Sequence, residues 1–354
     1  MSAIDRVRAV LEVSASIADS EHPLGRRVRQ HLQQVADLSA PGIELALGEH
    51  LETDVTEDEL AAFVARAATA SRCHVLLSAN VCTAAVRAIA WAAATAPDVS
   101  VKPSRRDSVV ADVLIETLAD RFAIRAVTEL EPDGDDHVHL YGSDETLDQV
   151  QHIGGTVFAH GTGIGVATID RSGDGRSGES SPGDSGPEDA ALALCTDMVP
   201  FDGRGCLSPR IAFVVGNVHV FADALDGRLR QAAQRVPRGA LSETERADID
   251  QYGRTYAAVD RFLSAEDHFI AVDSAPQTLL LPPPHRGILL VAVDDAHHMT
   301  RLLEPWRHYV TCCGAAKPGG ELSRRLGDLA VRHTALGAMQ KPPFDGPVDL
   351  RSLR

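Results

Sequence analysis

With 354 residues, 44% apolar and 24% charged, the chain has material for two packed domains or one large α/β domain. A formal net charge of -16 excludes a nucleic-acid backbone binder, which needs a basic face. Six cysteines without a CxxC pair or zinc-ligand spacing, no basic-then-apolar leader and no apolar run near ~20 residues predict a cytoplasmic protein without an integral membrane segment.

Residues 1–70 read as three partly polar helices: IDRVRAVLEVSASIAD, LGRRVRQHLQQVAD and VTEDELAAFVARAATA. In the last, Thr56 is placed as N-cap with Glu57 and Asp58 in the first turn. An α/β rhythm follows. HVLLSAN (74–80) reads as a strand and loop, VCTAAVRAIAWAAATA (81–96) as a helix, and DVSVKPS (98–104) as a strand and turn. SVVADVLIETLADRF (108–122) reads as a helix, HVHLYGS (137–143) as a strand, DETLDQVQ (144–151) as a short helix and TVFAHG (156–161) as a strand. Strands alternating with helices predict a parallel sheet covered on both faces.

The run DRSGDGRSGESSPGDSGPED (170–189) has almost no apolar side chain to offset its ordering entropy, so a mobile acidic loop is expected there. A second α/β set comes after it. AALALCTDMV (190–199) and VHVFADALDGRLRQAAQRV (218–236) read as helices on either side of a strand, RIAFVV (210–215). HFIAVDS, TLLLP and GILLVAV read as further strands, and AHHMTRLLEPW as a helix. These shifts divide the chain into a helical region with a first α/β set (1–190), a second α/β set (191–330) and a tail (331–354).

Several motifs bear on chemistry, each with a bland counterpart. Cys206, in FDGRGCLSPR (201–210), is either a small packing residue or a thiol presented on a Gly-lined turn, whose backbone N–H groups could face an oxyanion. Lys102 closes a strand at the edge where α/β sheets bind nucleotides, or is a solvated turn lysine. Gly142 and Ser143, in YGSDET, form either a phosphate turn or a simple N-cap. FAHGTGIG (158–165) is neither the dinucleotide fingerprint nor a P-loop. Asn80 ends SAN, where its amide either donates to an oxyanion or bonds within its turn. The clusters DGDDHVH (133–139) and DDAHHM (294–299) lack ligand geometry and read as surface turns, so no metal is expected. Adjacent Cys312 and Cys313 read as core or edge residues rather than a disulfide.

The order of the motifs is more specific than any one of them. SANV (78–81), VKPSRRDS (101–108), HLYGSDET (139–146), FAHGTGIGVA (158–167), DGRGCLSPR (202–210), PPPHRGILLVAVDD (282–295) and LGAMQKPPFDG (336–346) follow one another. This series resembles the aldehyde dehydrogenase superfamily, and more closely its LuxC-type acyl-CoA and acyl-protein thioester reductases. The resemblance implies a Rossmann-like cofactor domain, a second α/β domain carrying the thiol, and an active-site crevice between them. It implies Cys206 as nucleophile and Asn80 in the oxyanion hole. Lys102 and Ser104 would hold the adenosine ribose or its 2′-phosphate, with Gly142 and Ser143 near the diphosphate. His160 is the candidate proton donor, weighed against a histidine fixed beside a glycine turn.

Oxidising members of the superfamily carry a water-activating glutamate in the Gly-rich strand motif, about where Ala159 stands in this chain. A second glutamate is replaced around PPPHR. Without that base, an acyl group on Cys206 would wait for hydride. The resemblance thus implies reduction of an acyl-CoA or acyl-carrier-protein thioester to a fatty aldehyde with NADPH, or with NADH, in a protein that could form a homo-oligomer. An oxidative aldehyde dehydrogenase, a catalytically impaired nucleotide-binding scaffold and, more distantly, a cysteine hydrolase are the alternatives.

Overall fold

The computed structural model describes residues 1–78, 80–150, 153–170 and 186–351; most of the acidic run 170–189 lies outside the described residues. The chain divides into two compact units, the first comprising Met1–Ala36, Ile43–Thr162 and Pro343–Arg354, the second Asp37–Gly42 and Gly163–Pro342.

Helices α1 (Ala3–Ala18), α2 (Pro23–Val35), α3 (Ala40–Glu49) and α4 (Glu57–Arg66) open the chain. Thr56 caps α4 as the sequence predicts, exchanging hydrogen bonds with Glu59 in a capping box. The alternating part then runs β1 (Arg72–Leu76), α5 (Ala84–Thr95), β2 (Asp98–Lys102), α6 (Val109–Leu118), β3 (Ala123–Ala126), β4 (His137–Tyr141), α7 (Asp144–Asp148) and β5 (Thr156–His160). These five strands form one parallel sheet in the order β3-β2-β1-β4-β5. Helix α5 is buried from Ala85 to Thr95, which explains its alanine content: small side chains let α1 and β1 approach it closely. Its one charge, Arg87, is neutralised by Glu52 at 2.7 Å and donates to the Pro343 carbonyl at 2.8 Å. Phe344 stacks on Phe63 with ring centroids 4.1 Å apart, so residues from Pro343 onward belong to this unit.

The second unit contains β6 (Ile164–Asp170), α8 (Pro187–Met198), β7 (Pro209–Val215), α9 (Val218–Ala233), α10 (Glu243–Val259), β8 (Arg261–Ser264) and β9 (Phe269–Asp273). It continues through β10 (Gly287–Ala292), α11 (Ala296–Leu303), β11 (Val310–Ala315), α12 (Glu321–Leu326) and β12 (Arg332–Ala335). Its seven strands lie in the order β12-β11-β6-β7-β10-β9-β8, parallel except where β8 runs against β9. The core is built on β6, β7, β9 and β10, with Phe213, Phe269, Leu289 and Val291 fully or almost fully buried.

Two sequence expectations are corrected here. TLLLP (278–282) is irregular, not a strand, because Pro282 and the two prolines after it supply no ladder donors and restrict the residue before them. The cluster at 133–139 is not a surface turn throughout. Asp136 is buried and pairs with Arg72 at 2.8 Å and His74 at 3.2 Å, and His139 is buried within β4. The other cluster is a surface turn only at Asp294 and Asp295, where exposed Asp295 caps α11 and accepts from the His298 N–H at 2.7 Å; Ala296–Met299 lie in that helix, with Met299 buried. Among the described residues no group of three or more metal-ligating side chains converges, and no helix is long and apolar enough to cross a membrane.

Candidate active site

Cys206 occupies the turn that feeds the amino end of β7, immediately after a 3-10 turn at Pro200–Gly203. None of the six cysteines is in a disulfide, and five are buried; Cys206 alone is partly exposed. Burial pushes the thiols of Cys82 and Cys313 up to about 12 and that of Cys195 up to about 11, and raises Cys73 and Cys312 as well, so these five are unreactive at neutral pH. The Cys206 carbonyl accepts from the Thr311 hydroxyl on β11, whose oxygen also lies 3.1 Å from the Ile164 carbonyl. The glycines of GTGIG have a steric role here. A Cβ on Gly163 would stand 2.5 Å from Thr311 Cγ2 and 2.9 Å from Cys206 Cβ, and one on Gly165 would stand 2.4 Å from the Leu207 carbonyl oxygen. The chain entering β6 can pass this close to the cysteine turn only because positions 163 and 165 carry no side chain.

On the N-terminal side the turn is held by a buried ion pair that sequence reading did not find. Asp202 and Arg286 have side chains 1% exposed, with Nη2 at 2.7 Å and Nε at 2.9 Å from Asp202 Oδ1. Their backbones join through Arg286 N–H to Asp202 O at 2.9 Å. Arg286 also donates to Val236 O at 2.7 Å, and the other Asp202 oxygen accepts from Gly239 N–H at 2.9 Å. Four non-glycine residues have left-handed backbone among the described residues, and all belong to this contact: Phe201, Asp202, His285 and Arg286. Each left-handed residue costs roughly 1–2 kcal/mol. That strain persists because the pair and its backbone bonds determine the conformation of both loops.

His285 extends the same clamp. Its Nδ1 accepts from Arg204 Nε at 3.3 Å, which leaves the proton on Nε2, 3.3 Å from Glu245. Burial, with Arg204 beside it, pushes its pKa down to about 4, so the ring is a neutral spacer between a cation and an anion.

The remaining sequence candidates belong to the first unit and share the carboxyl edge of its sheet. Strand order reverses between β1 and β4, the switch point where open α/β sheets bind ligands. Asn80 is exposed in the bend after β1. Lys102 ends β2 and is half-buried, and Ser104 accepts from the Arg106 N–H at 3.2 Å. Gly142 and Ser143 make the turn from β4 into α7. Ser143 is exposed and is the N-cap of that helix, accepting from the Thr146 N–H at 3.3 Å.

His160 ends β5 and is buried. Its Nε2 lies 3.3 Å from His139 Nδ1, its ring stacks on Tyr141 at 4.2 Å, and its Nδ1 is 3.9 Å from Asp349. Burial outweighs the carboxylate and pushes its pKa down to about 4; His139, deeper in the same stack, is pushed to about 3. Both imidazoles are neutral at pH 7.

A five-stranded parallel sheet with a switch point, and a larger α/β unit that presents one accessible thiol, make an α/β fold of the aldehyde dehydrogenase type. Solved structures agree. The NAD-dependent aldehyde dehydrogenase of Sinorhizobium meliloti superposes with a TM-score of 0.67 at 13% identity, over 95% of this chain and 74% of that one. The NADP-dependent glyceraldehyde-3-phosphate dehydrogenase of Bacillus halodurans C-125, complexed with NADP, gives 0.64 at 14%, over 95% and 79%. A propionaldehyde dehydrogenase from the fucose utilisation bacterial microcompartment of Clostridium phytofermentans gives 0.61 at 8%, over 96% and 84%. Such identities establish the fold.

The chain itself belongs to the acyl-CoA reductase (LuxC) family, whose sequence model matches residues 40–353. No curated protein matches it in sequence. The family defines an oxidoreductase acting on acyl groups, on a fold shared with the aldehyde dehydrogenases.

Proposed function

We propose that this protein reduces a long-chain acyl thioester of CoA or of an acyl-carrier protein to a fatty aldehyde with NADPH, through a thioester on Cys206. One observation carries the assignment of the nucleophile: of six cysteines, Cys206 alone is not buried. The thiolate attacks the acyl carbonyl, the new C–S bond forms, and the donor's C–S bond breaks to release the donor thiolate, which takes a proton from solvent. A bound nicotinamide supplies the hydride that reduces the resulting acyl group. Collapse of the thiohemiacetal oxyanion restores the carbonyl as aldehyde and returns the electron pair to sulfur, so that step needs no proton donor. His160, buried and neutral, accordingly has a packing part here rather than an acid's.

The direction of reaction is supported by β5, whose sequence TVFAH carries no carboxylate to activate water against the acyl-enzyme. Asn80 is assigned as the amide donor to the oxyanion. The first unit fits a dinucleotide: an ammonium (Lys102), a hydroxyl (Ser104) and a small Gly142–Ser143 turn share the carboxyl edge at and beside its switch point. Lys102 and Ser104 would hold the adenosine ribose and its 2′-phosphate, and Gly142 and Ser143 the diphosphate.

The test is consumption of NADPH and of NADH with acyl-CoAs of increasing chain length, with aldehyde trapped as a hydrazone, beside Cys206→Ala. Wild type is expected to form aldehyde and the variant none. Equal cofactor consumption by the two would overturn the mechanism.

A further inference from the structure

The motif LGAMQKPP (336–343), which contributes to the family likeness, has no part in the mechanism above, yet its residues lead back to the cysteine turn inside the second unit. Asp197, on the last turn of α8, is 1% exposed. Its two oxygens accept from the backbone N–H groups of Gly337 at 2.6 Å and Met339 at 2.8 Å. The left-handed φ of 87° at Gly337 lets the chain bend around this carboxylate. The bend delivers Gln340, whose Nε2 donates to the Asp197 carbonyl at 2.9 Å and to Ser208 Oγ at 3.0 Å. Both amide hydrogens are used, and the opposite amide orientation would set oxygen against carbonyl oxygen.

Ser208 is fully buried two residues after Cys206. Its N–H reaches back across the cysteine to Gly205 O at 3.0 Å, and its carbonyl accepts from the Gly165 N–H at 2.9 Å. Gln340 therefore ties the end of α8 to the residue that closes the cysteine turn. From this arrangement we infer that Gln340, seated by Asp197, is a positioning residue that holds the Cys206 thiol in its attacking geometry. The inference rests on Cys206 being the nucleophile.

A polar device is an expensive way merely to fill space. Burial pushes the Asp197 carboxyl up to about 7 against the pull of three backbone N–H groups, whereas apolar side chains would fill the same volume without that cost. What the polar arrangement adds is direction. The two N–H vectors of one planar amide fix Ser208 relative to the helix end, and displacement of a reacting group by about 1 Å can cost about 100-fold in rate.

The experiment uses the full chain with Gln340→Met, which keeps length and removes both donors, Ser208→Ala, and the double variant. For each, kcat and KM for acyl-CoA reduction are measured, together with the iodoacetamide alkylation rate of Cys206 read by peptide mass spectrometry. Each single variant is expected to lower kcat about 10- to 100-fold with both KM values within about twofold of wild type. Each is also expected to change the alkylation rate at least threefold, and the double variant should be no worse than the worse single one. Losses that multiply in the double variant, or an unchanged alkylation rate and kcat, overturn the inference. Ser208→Ala leaves every Asp197 bond in place, so it decides the matter if Gln340→Met fails to fold. Alkylation needs no turnover. An altered rate in an enzyme whose Cys206→Ala form remains active would show that Gln340 orients the thiol while overturning the thiol's role as nucleophile, so the failure of the positioning and the failure of the mechanism are told apart.

Discussion

The two units hold their candidate residues in opposite ways. In the first, Asn80, Lys102, Ser104, Gly142 and Ser143 lie at the carboxyl ends of parallel strands, exposed or half-buried, and the bonds of Ser143 and Ser104 go to Thr146 and Arg106, close by along the chain. In the second, Cys206 lies at the amino end of β7, with an ion pair on one flank, a buried amide bridge on the other and a hydroxyl on its carbonyl. The difference suits the tasks proposed for the two sets. A nucleotide brings its own charges and can order loose side chains around it, whereas a nucleophile must be aimed before its substrate arrives.

The sharpest way to break this contrast is to compare Arg286→Met with Lys102→Ala. Arg286→Met leaves the Asp202 carboxylate buried without its partner, and loss of one member of a buried pair costs about 3–5 kcal/mol. Lys102→Ala is expected to change stability by less than about 0.5 kcal/mol while raising the KM for NADPH. Urea unfolding checks both, and equal losses would erase the distinction between a built and an open site.

Acid should reach the first unit through its imidazole stack. His139 and His160 are depressed to about 3 and about 4, so between pH 6.5 and those values the unfolded chain binds protons that the folded chain refuses. Their contribution is fully present above pH 6.5 and falls as pH drops through that window. Each histidine should cost about 1–2 kcal/mol between pH 7 and pH 5. Replacing His139 by Phe, beside the stacked Phe158 ring, should flatten the slope of unfolding free energy against pH. An unchanged slope would show that the stack is not what acid attacks.

A smaller effect is expected from Gly163→Ala. Its methyl would meet Thr311 and Cys206 side-chain atoms at 2.5 and 2.9 Å, an overpacking that costs about 1–3 kcal/mol. The same methyl should slow alkylation of Cys206, because both of the atoms it meets support the turn. Faster alkylation would contradict the packing argument.

Legibility in the sequence follows the same division. β1, β2, β4, β5 and their helices are local patterns, and the candidates of the first unit lie at strand ends, where the strand reading itself points. β6 was hidden beside the acidic run, and α10 was hidden by its charged faces, although Ile249, Tyr252, Gly253 and Tyr256 keep the helical interval. The supports of Cys206 were unreadable for another reason. Asp202 and Arg286 are 84 residues apart, and Ser208 and Gln340 are 132 apart. The segments FDGRGC, PPPHR and GAMQKPP were visible as unusual words, but no pattern within any one of them says that an aspartate needs that arginine, or a serine that glutamine.

The finest test separates a cap from a binding residue at Ser143. Its hydroxyl already caps α7, a helix of five residues none of which is buried, so the cap alone explains a serine here. Ser143→Asp keeps an N-cap acceptor and suits the helix dipole as well as serine does, so stability should stay within about 0.5 kcal/mol of wild type. It also places a negative charge where the proposed reading puts the nucleotide's diphosphate. The KM for NADPH should then rise about tenfold, an increase of about 1.4 kcal/mol in binding free energy, with kcat little changed. Should the KM stay constant, Ser143 serves its helix and nothing else, and the phosphate turn must lie elsewhere along the carboxyl edge of the five-stranded sheet.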